Sequence, residues 1–130
     1  MKQMKKATLL TLILALCLSL CACSVKLTES QQAAVEKEDR FFNLLNKGSN
    51  TNVRSSKTEL KKIDGKIVYI VTVDLYEITN LTLYTFETMT MPDLQESLNP
   101  EDIYVVLYIK ENGKEVYRMV DDKLDSSLLD

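Results

Sequence analysis

Apolar residues follow two different periods along the chain. Between Thr28 and Lys47 they recur at helical spacing: Ala34, Phe41, Phe42 and Leu45, with Val35 and Leu44 at the margins, form one stripe. Thr28 with Gln31 fits a capping box, Glu29 suits the positive end of a helix, and Lys47 followed by Gly48 makes a stop. A helix over 28–47 is therefore predicted. Its stripe is most simply core; a partner-binding amphipathic face is the sharper alternative. Ser49 to Ser56 is polar and turn-rich and reads as a loop.

Beyond it the period becomes two. Lys57 to Lys62 is a strand candidate, and Asp64-Gly65 is a hairpin signal because both residues tolerate positive φ. Lys66 to Ile78, dense in Ile, Val and Tyr, is the strongest strand in the chain. Thr79-Asn80 marks a second turn and Leu81 to Met91 a third strand run, which Pro92 ends. Asp93 to Leu98 then reads as one short helical turn. Ile103 to Lys110 and Lys114 to Asp121 flank Asn112-Gly113, the strongest hairpin dipeptide in the sequence. Leu124, Leu128 and Leu129 can dock back from the end of the chain.

Register follows from these turns. A two-residue loop at Thr79-Asn80 pairs Ile78 with Leu81, Val73 with Phe86 and Leu75 with Tyr84. Thr72 and Asp74 then share a polar face with Thr85 and Glu87. At Asn112-Gly113 the pairing sets Ile109 against Val116 and Tyr108 against Tyr117, with both faces largely apolar. One helix followed by about four to five antiparallel strands in a meander predicts an α+β domain, the N-terminal helix lying across one face of the sheet. This order resembles the cystatin-like arrangement, an analogy of architecture that carries no function.

The first two dozen residues differ from the rest. Lys2, Lys5 and Lys6 make a positive start, and Leu9 to Leu20 is an uncharged apolar run. That is the plan of a secretory signal, with the part beyond it exported. Leu20-Cys21-Ala22-Cys23 resembles the lipobox of bacterial lipoproteins. The resemblance implies cleavage after Ala22, a lipid (diacylglycerol with palmitate-type chains) on Cys23, and tethering at the extracytoplasmic face of a cell membrane, or an outer membrane. Cys21 is an uncommon residue for its place in that pattern, and Cys17 and Cys21 each follow Leu instead of a small residue. The rival reading is an uncleaved membrane helix, since Ala7 to Val25 is uncharged and close to the ~20 residues a span needs. The expected organisation is thus a signal peptide over 1–22, a lipidated Cys and short tether over 23–27, and one α+β domain over 28–130.

Processing changes the charge. The 16 basic residues fall to 13 against 19 acidic, moving the net from −3 to −6. Nucleic acid is therefore not an expected partner, because a phosphate-contacting surface needs clustered Lys and Arg. The balance is uneven: 26–63 carries 8 basic and 5 acidic residues, 64–130 carries 5 and 14. The helical end then turns toward anionic headgroups, or the charge simply keeps the domain soluble.

The chain has no His, and processing leaves Cys23 as its one cysteine. Those residue types are what Ser-His-Asp and Cys-His sites, His- or Cys-built zinc sites and iron–sulfur clusters need. No Gly-rich phosphate loop occurs. No cofactor, metal or catalytic residue is expected.

Three constellations remain. Tyr104 and Tyr108 share a strand face with Tyr117 across from Tyr108, a possible partner surface or ordinary aromatic packing under the helix. Asp74 and Glu87 become near-diagonal neighbours on the polar face, a possible carboxylate pair for a hydrolase but more simply a solvated surface. Asp121-Asp122 with Asp125 reads as a polar end, and Asn80-Leu81-Thr82 is a glycosylation pattern of little weight behind a lipobox. The expected function is a membrane-anchored, non-catalytic binding or accessory lipoprotein. A surface immunity or inhibitor protein that captures a peptide or enzyme is the alternative.

Overall fold

The computed structural model describes residues 25–47 and 52–129. The leader, Cys23 and the Gly48 stop lie outside the described residues. The chain folds as α+β, an N-terminal helix on a four-stranded sheet with a second helical segment beside it.

Helix α1 (Glu29–Lys47) starts as the capping box requires. The Gln31 N–H donates to the Thr28 hydroxyl at 3.1 Å, and the Thr28 N–H donates back to Gln31 Oε1 at 3.0 Å. The buried stripe is rotated from the expected one. Val35 and Phe42 are buried and Ala34 and Leu45 half-buried, whereas Phe41 and Leu44 are exposed. Asp39 lies on the inward side because the sheet supplies its partners. It accepts the Tyr69 hydroxyl at 2.5 Å and the Thr58 hydroxyl at 2.8 Å. Burial, reinforced by the Asp39 contact, pushes the Tyr69 hydroxyl far above its ordinary pKa and keeps it a donor.

Strand β1 (Val53–Ile63) begins before Lys57, inside the segment expected as loop. Its polar residues are strand because α1 satisfies them. Ser56 N–H donates to Asn46 Oδ1 at 2.6 Å, Asn46 Nδ2 donates to the Ser56 carbonyl at 2.9 Å, and the Ser56 hydroxyl donates to the Phe42 carbonyl at 2.8 Å. Strand β2 (Lys66–Leu75) follows through Asp64-Gly65, both at positive φ. Asn112-Gly113, at φ +48° and +86°, joins β3 (Ile103–Glu111) to β4 (Lys114–Val120) in the same way.

The expected third strand is overturned. Leu81 to Met91 is helical: α2 (Asn80–Thr85), one π-helical turn (Phe86–Thr90) and α3 (Met91–Leu98) run end to end. Thr79 caps the segment, its hydroxyl accepting from Thr82 N–H at 3.2 Å. The Thr85 and Thr88 hydroxyls bond back to the Leu81 and Tyr84 carbonyls at 2.8 and 2.7 Å. Threonines that favour a strand by propensity therefore sit in a helix with their hydroxyls satisfied. The π turn inserts one extra residue between Phe86 and Met91. That keeps Leu83 and Phe86 on the same inward stripe as Met91, Leu94 and Leu98. It also sets Pro92 in the first turn of α3, where a missing N–H is tolerated.

The helical crossover changes the sheet. Strand order is β1-β2-β3-β4, with both hairpins antiparallel and β2 parallel to β3. The meander, its Ile78–Leu81 register and the cystatin-like analogy are corrected at this joint, because a parallel pair requires a crossover that a tight turn cannot supply. In the last hairpin Ile109 faces Tyr117 and Tyr108 faces Arg118, one step from the expected register. The ladder shifts between Ile109 and Lys110, so Val116 is an extra residue in a bulge.

Both faces of the central strands are buried. Tyr69, Val71, Val73, Leu75, Ile103, Val105, Leu107 and Ile109 point to the helices. Val68, Ile70 and Val106 point to the opposite side, where Leu124 and Leu129 dock and Leu128 is exposed. Lys66 Nζ lies 5.5 Å from the Tyr104 ring centre and the Arg118 guanidinium 5.1 Å from that of Tyr108.

Candidate functional site

The helix layer does not close over the sheet. Between the second half of α1 and the α2–π–α3 segment it leaves two adjoining hollows of about 680 Å³ and 330 Å³. Phe41, Phe42, Thr85 and Thr90 line both, so they form one groove. The floor is core: Phe42 is 2% exposed and packs edge-on against Phe41, ring centres 5.1 Å apart. The rim is apolar and wet. Phe41 is 49% exposed, Met89 61% and Leu81 73%. Leu44 and Tyr84 are also exposed on α1 and α2, but they line neither hollow.

The wall carries a π turn at Phe86–Thr90, and turns of this kind recur at functional sites. Thr82, Thr85 and Thr90 line the groove on this wall. At one end Glu38, Asp93 and Glu96 ring the opening against a single Lys37. The groove therefore offers apolar surface with a net negative border. It is suited to holding an apolar segment that carries positive charge.

The residues singled out from sequence fall elsewhere. Tyr104 and Tyr108 do share a face, but it is the face away from the helices, and each ring is half-buried beneath a cation. Tyr117 is not with them, because it pairs with Ile109, whose side chain belongs to the helix-side core. Asp74 and Glu87 are not neighbours. Asp74 projects from β2 on the side away from the helices, binding Arg54 at 3.0 Å and the Gly113 N–H at 2.9 Å. Glu87 belongs to the π turn in the helical layer, so the carboxylate pair does not form. Thr85, expected on a polar sheet face, lines the groove.

Asp121 is not a solvated end; it is 1% exposed. Its carboxylate accepts Asn99 Nδ2 at 2.8 Å, Lys123 N–H at 3.2 Å and Val105 N–H at 3.3 Å. Burial pushes its pKa up, but the hydrogen bonds, Asn99 first, outweigh burial and hold the carboxyl below its ordinary value. Among the described residues no cluster of His, Cys, Asp or Glu could hold a metal ion, and no helix is long and apolar enough to cross a membrane. Asn80 opens α2.

The positive excess of 26–63 is not on the helix. α1 carries four acidic and three basic residues, whereas Arg54, Lys57, Lys61 and Lys62 stand on β1. Two signals could have revealed the groove: Thr79 three residues before Thr82, and an apolar stripe that continues through Pro92 to Leu98.

No known family model, curated protein or solved structure matches the chain.

Proposed function

We propose that this chain is a membrane-anchored lipoprotein of a bacterial cell envelope, tethered through lipid on Cys23, with a domain that acts as a non-catalytic binding or accessory module. The anchor rests on the charged start, the apolar run and Leu20-Cys21-Ala22-Cys23. The binding role rests on one observation: large apolar side chains stand exposed along both walls of a groove floored by core residues. Exposed apolar surface gathered at a concave site is characteristic of interaction.

The anchor is tested by labelled palmitate, which wild-type protein incorporates and Cys23→Ser does not; equal labelling would contradict it. The binding role is tested by a photo-cross-linking residue at Leu81 in the native envelope, with Lys57 on the opposite face as control. A specific adduct from Leu81 alone is expected. Adducts from neither position, or the same adducts from both, would overturn the role of the groove.

A further inference from the structure

Resting on the binding reading above, we infer that the groove between α1 and α2–π–α3 takes a short amphipathic helix bearing lysine or arginine: a cationic peptide, or such a segment of a larger protein. Three features select that occupant. The first is charge. Glu38, Asp93 and Glu96 border the larger hollow against Lys37, and the processed chain has a net charge of −6. An acidic rim attracts a basic partner and repels both anionic headgroups and a second copy bringing the same rim.

The second is length. The α1 wall runs from Lys37 to Leu45. At 1.5 Å per residue that is about 12 Å, or two helical turns, room for anchors at i, i+3 or i+4, and i+7. The third is the backbone. The walls of the larger hollow are helical and use most of their N–H and C=O groups internally, so an extended peptide would find few main-chain partners along it; strand backbone meets the groove only at Asn52, Val53 and Leu75, at the end of the smaller hollow. A helix brings its own. Phe41, Leu81 and Met89 would meet the apolar face of the guest, and the three carboxylates its basic flank.

The test uses full-length lipidated protein in phosphatidylcholine nanodiscs, with empty nanodiscs as reference. Three fluorescent peptides of about four helical turns are compared by anisotropy: one with leucines on one face and lysines on the other, the same pattern with glutamates for lysines, and a scramble of the first. The lysine peptide is expected to bind at least about tenfold tighter than either control. Glu38→Lys/Asp93→Lys/Glu96→Lys is expected to reverse the preference between lysine and glutamate peptides. These three side chains sit at the surface opening, so circular dichroism serves to show that the variant stays folded. Equal binding of the glutamate peptide or the scramble, or no binding of any peptide, overturns the inference. The Leu81 cross-linker then separates the two levels. An adduct with a lipid, a second copy or an acidic segment overturns the cationic-helix inference while leaving the binding module. No adduct and no peptide binding removes both.

Discussion

The two faces of the central strands are equally dry and differently made. On the helix side Tyr69, Val105, Leu107 and Ile109 are buried by helices that carry their own apolar stripes. On the other side Val68 and Val106 reach the same zero exposure without an α-helix, under Tyr104, Tyr108, Leu124, the single 3-10 turn of Ser126–Leu129 and the cations that lie over those rings. Long side chains whose stems cover apolar surface while their charges stay wet can close a face in this way. The helix-covered face, built from rigid elements, is the one that leaves a groove. Helices meet as cylinders and leave space between them, whereas side chains lying flat on a sheet fill theirs. The faces also differ in charge pattern: on the open side Lys57, Lys61, Lys66 and Arg118 are interspersed with Glu59 and Asp74, whereas Glu38, Asp93 and Glu96 border the groove against Lys37.

Truncation in the helix-side core should cost most. Leu107→Ala removes a fully buried side chain between sheet and helices and is expected to lower stability by about 2–5 kcal/mol in chemical denaturation. On the open face Ile70→Val should cost only about 0.5–1.5 kcal/mol. Because Ile70→Val removes one carbon and Leu107→Ala three, a loss as large at Ile70 as at Leu107 would mean the open face is packed more tightly than the helix side.

Asp121 comes next, because it ties the end of β4 to β3 and to Asn99. Asp121→Ala leaves three donors without their acceptor and is expected to cost about 1–3 kcal/mol at neutral pH. Its folded pKa lies below the unfolded value of about 3.9. Its stabilisation is therefore fully present above that value and is lost as pH falls through the lower folded pKa. The variant should show a shallower loss of stability in acid than wild type. A wild-type slope retained in the variant would assign the acid sensitivity elsewhere.

A turn gives a smaller effect. Gly65 holds φ +76° with open space where a Cβ would stand, so Gly65→Ala meets conformational strain alone, about 1–2 kcal/mol. Smallest is Leu81→Ser. A side chain on the rim should change stability by no more than about 0.5 kcal/mol, while the same substitution weakens peptide binding. A large stability loss there would make Leu81 part of the core and remove it from the binding surface.

The same contrast shows what was legible in the sequence. α1, its capping box, both positive-φ hairpins and the last two strands are local, and their residues announce them. The α+β class with a helix on the sheet follows from their order. Leu81 to Met91 misled because its four threonines favour a strand by propensity, although Thr82, Thr85 and Thr88 stand three apart as on a helix, and the hydroxyls that make these three acceptable there bond to residues three or four positions back. A strand over that segment hides the parallel joint, the separation of Asp74 from Glu87 and the groove together. The apolar run of Ile103 to Ile109 on both faces was itself a sign of a central strand in a parallel pair. The bulge at Val116 has no local signature, and it is what parts Tyr117 from Tyr108.

The most direct measurement is NMR chemical-shift mapping on isotope-labelled protein as the lysine peptide is titrated in. Perturbation of Phe41, Leu81, Thr85 and Met89 is predicted, with Tyr104 and Tyr108 unmoved. Shifts centred on Tyr104 and Tyr108, with the groove silent, would place binding on the opposite face and contradict a groove that binds.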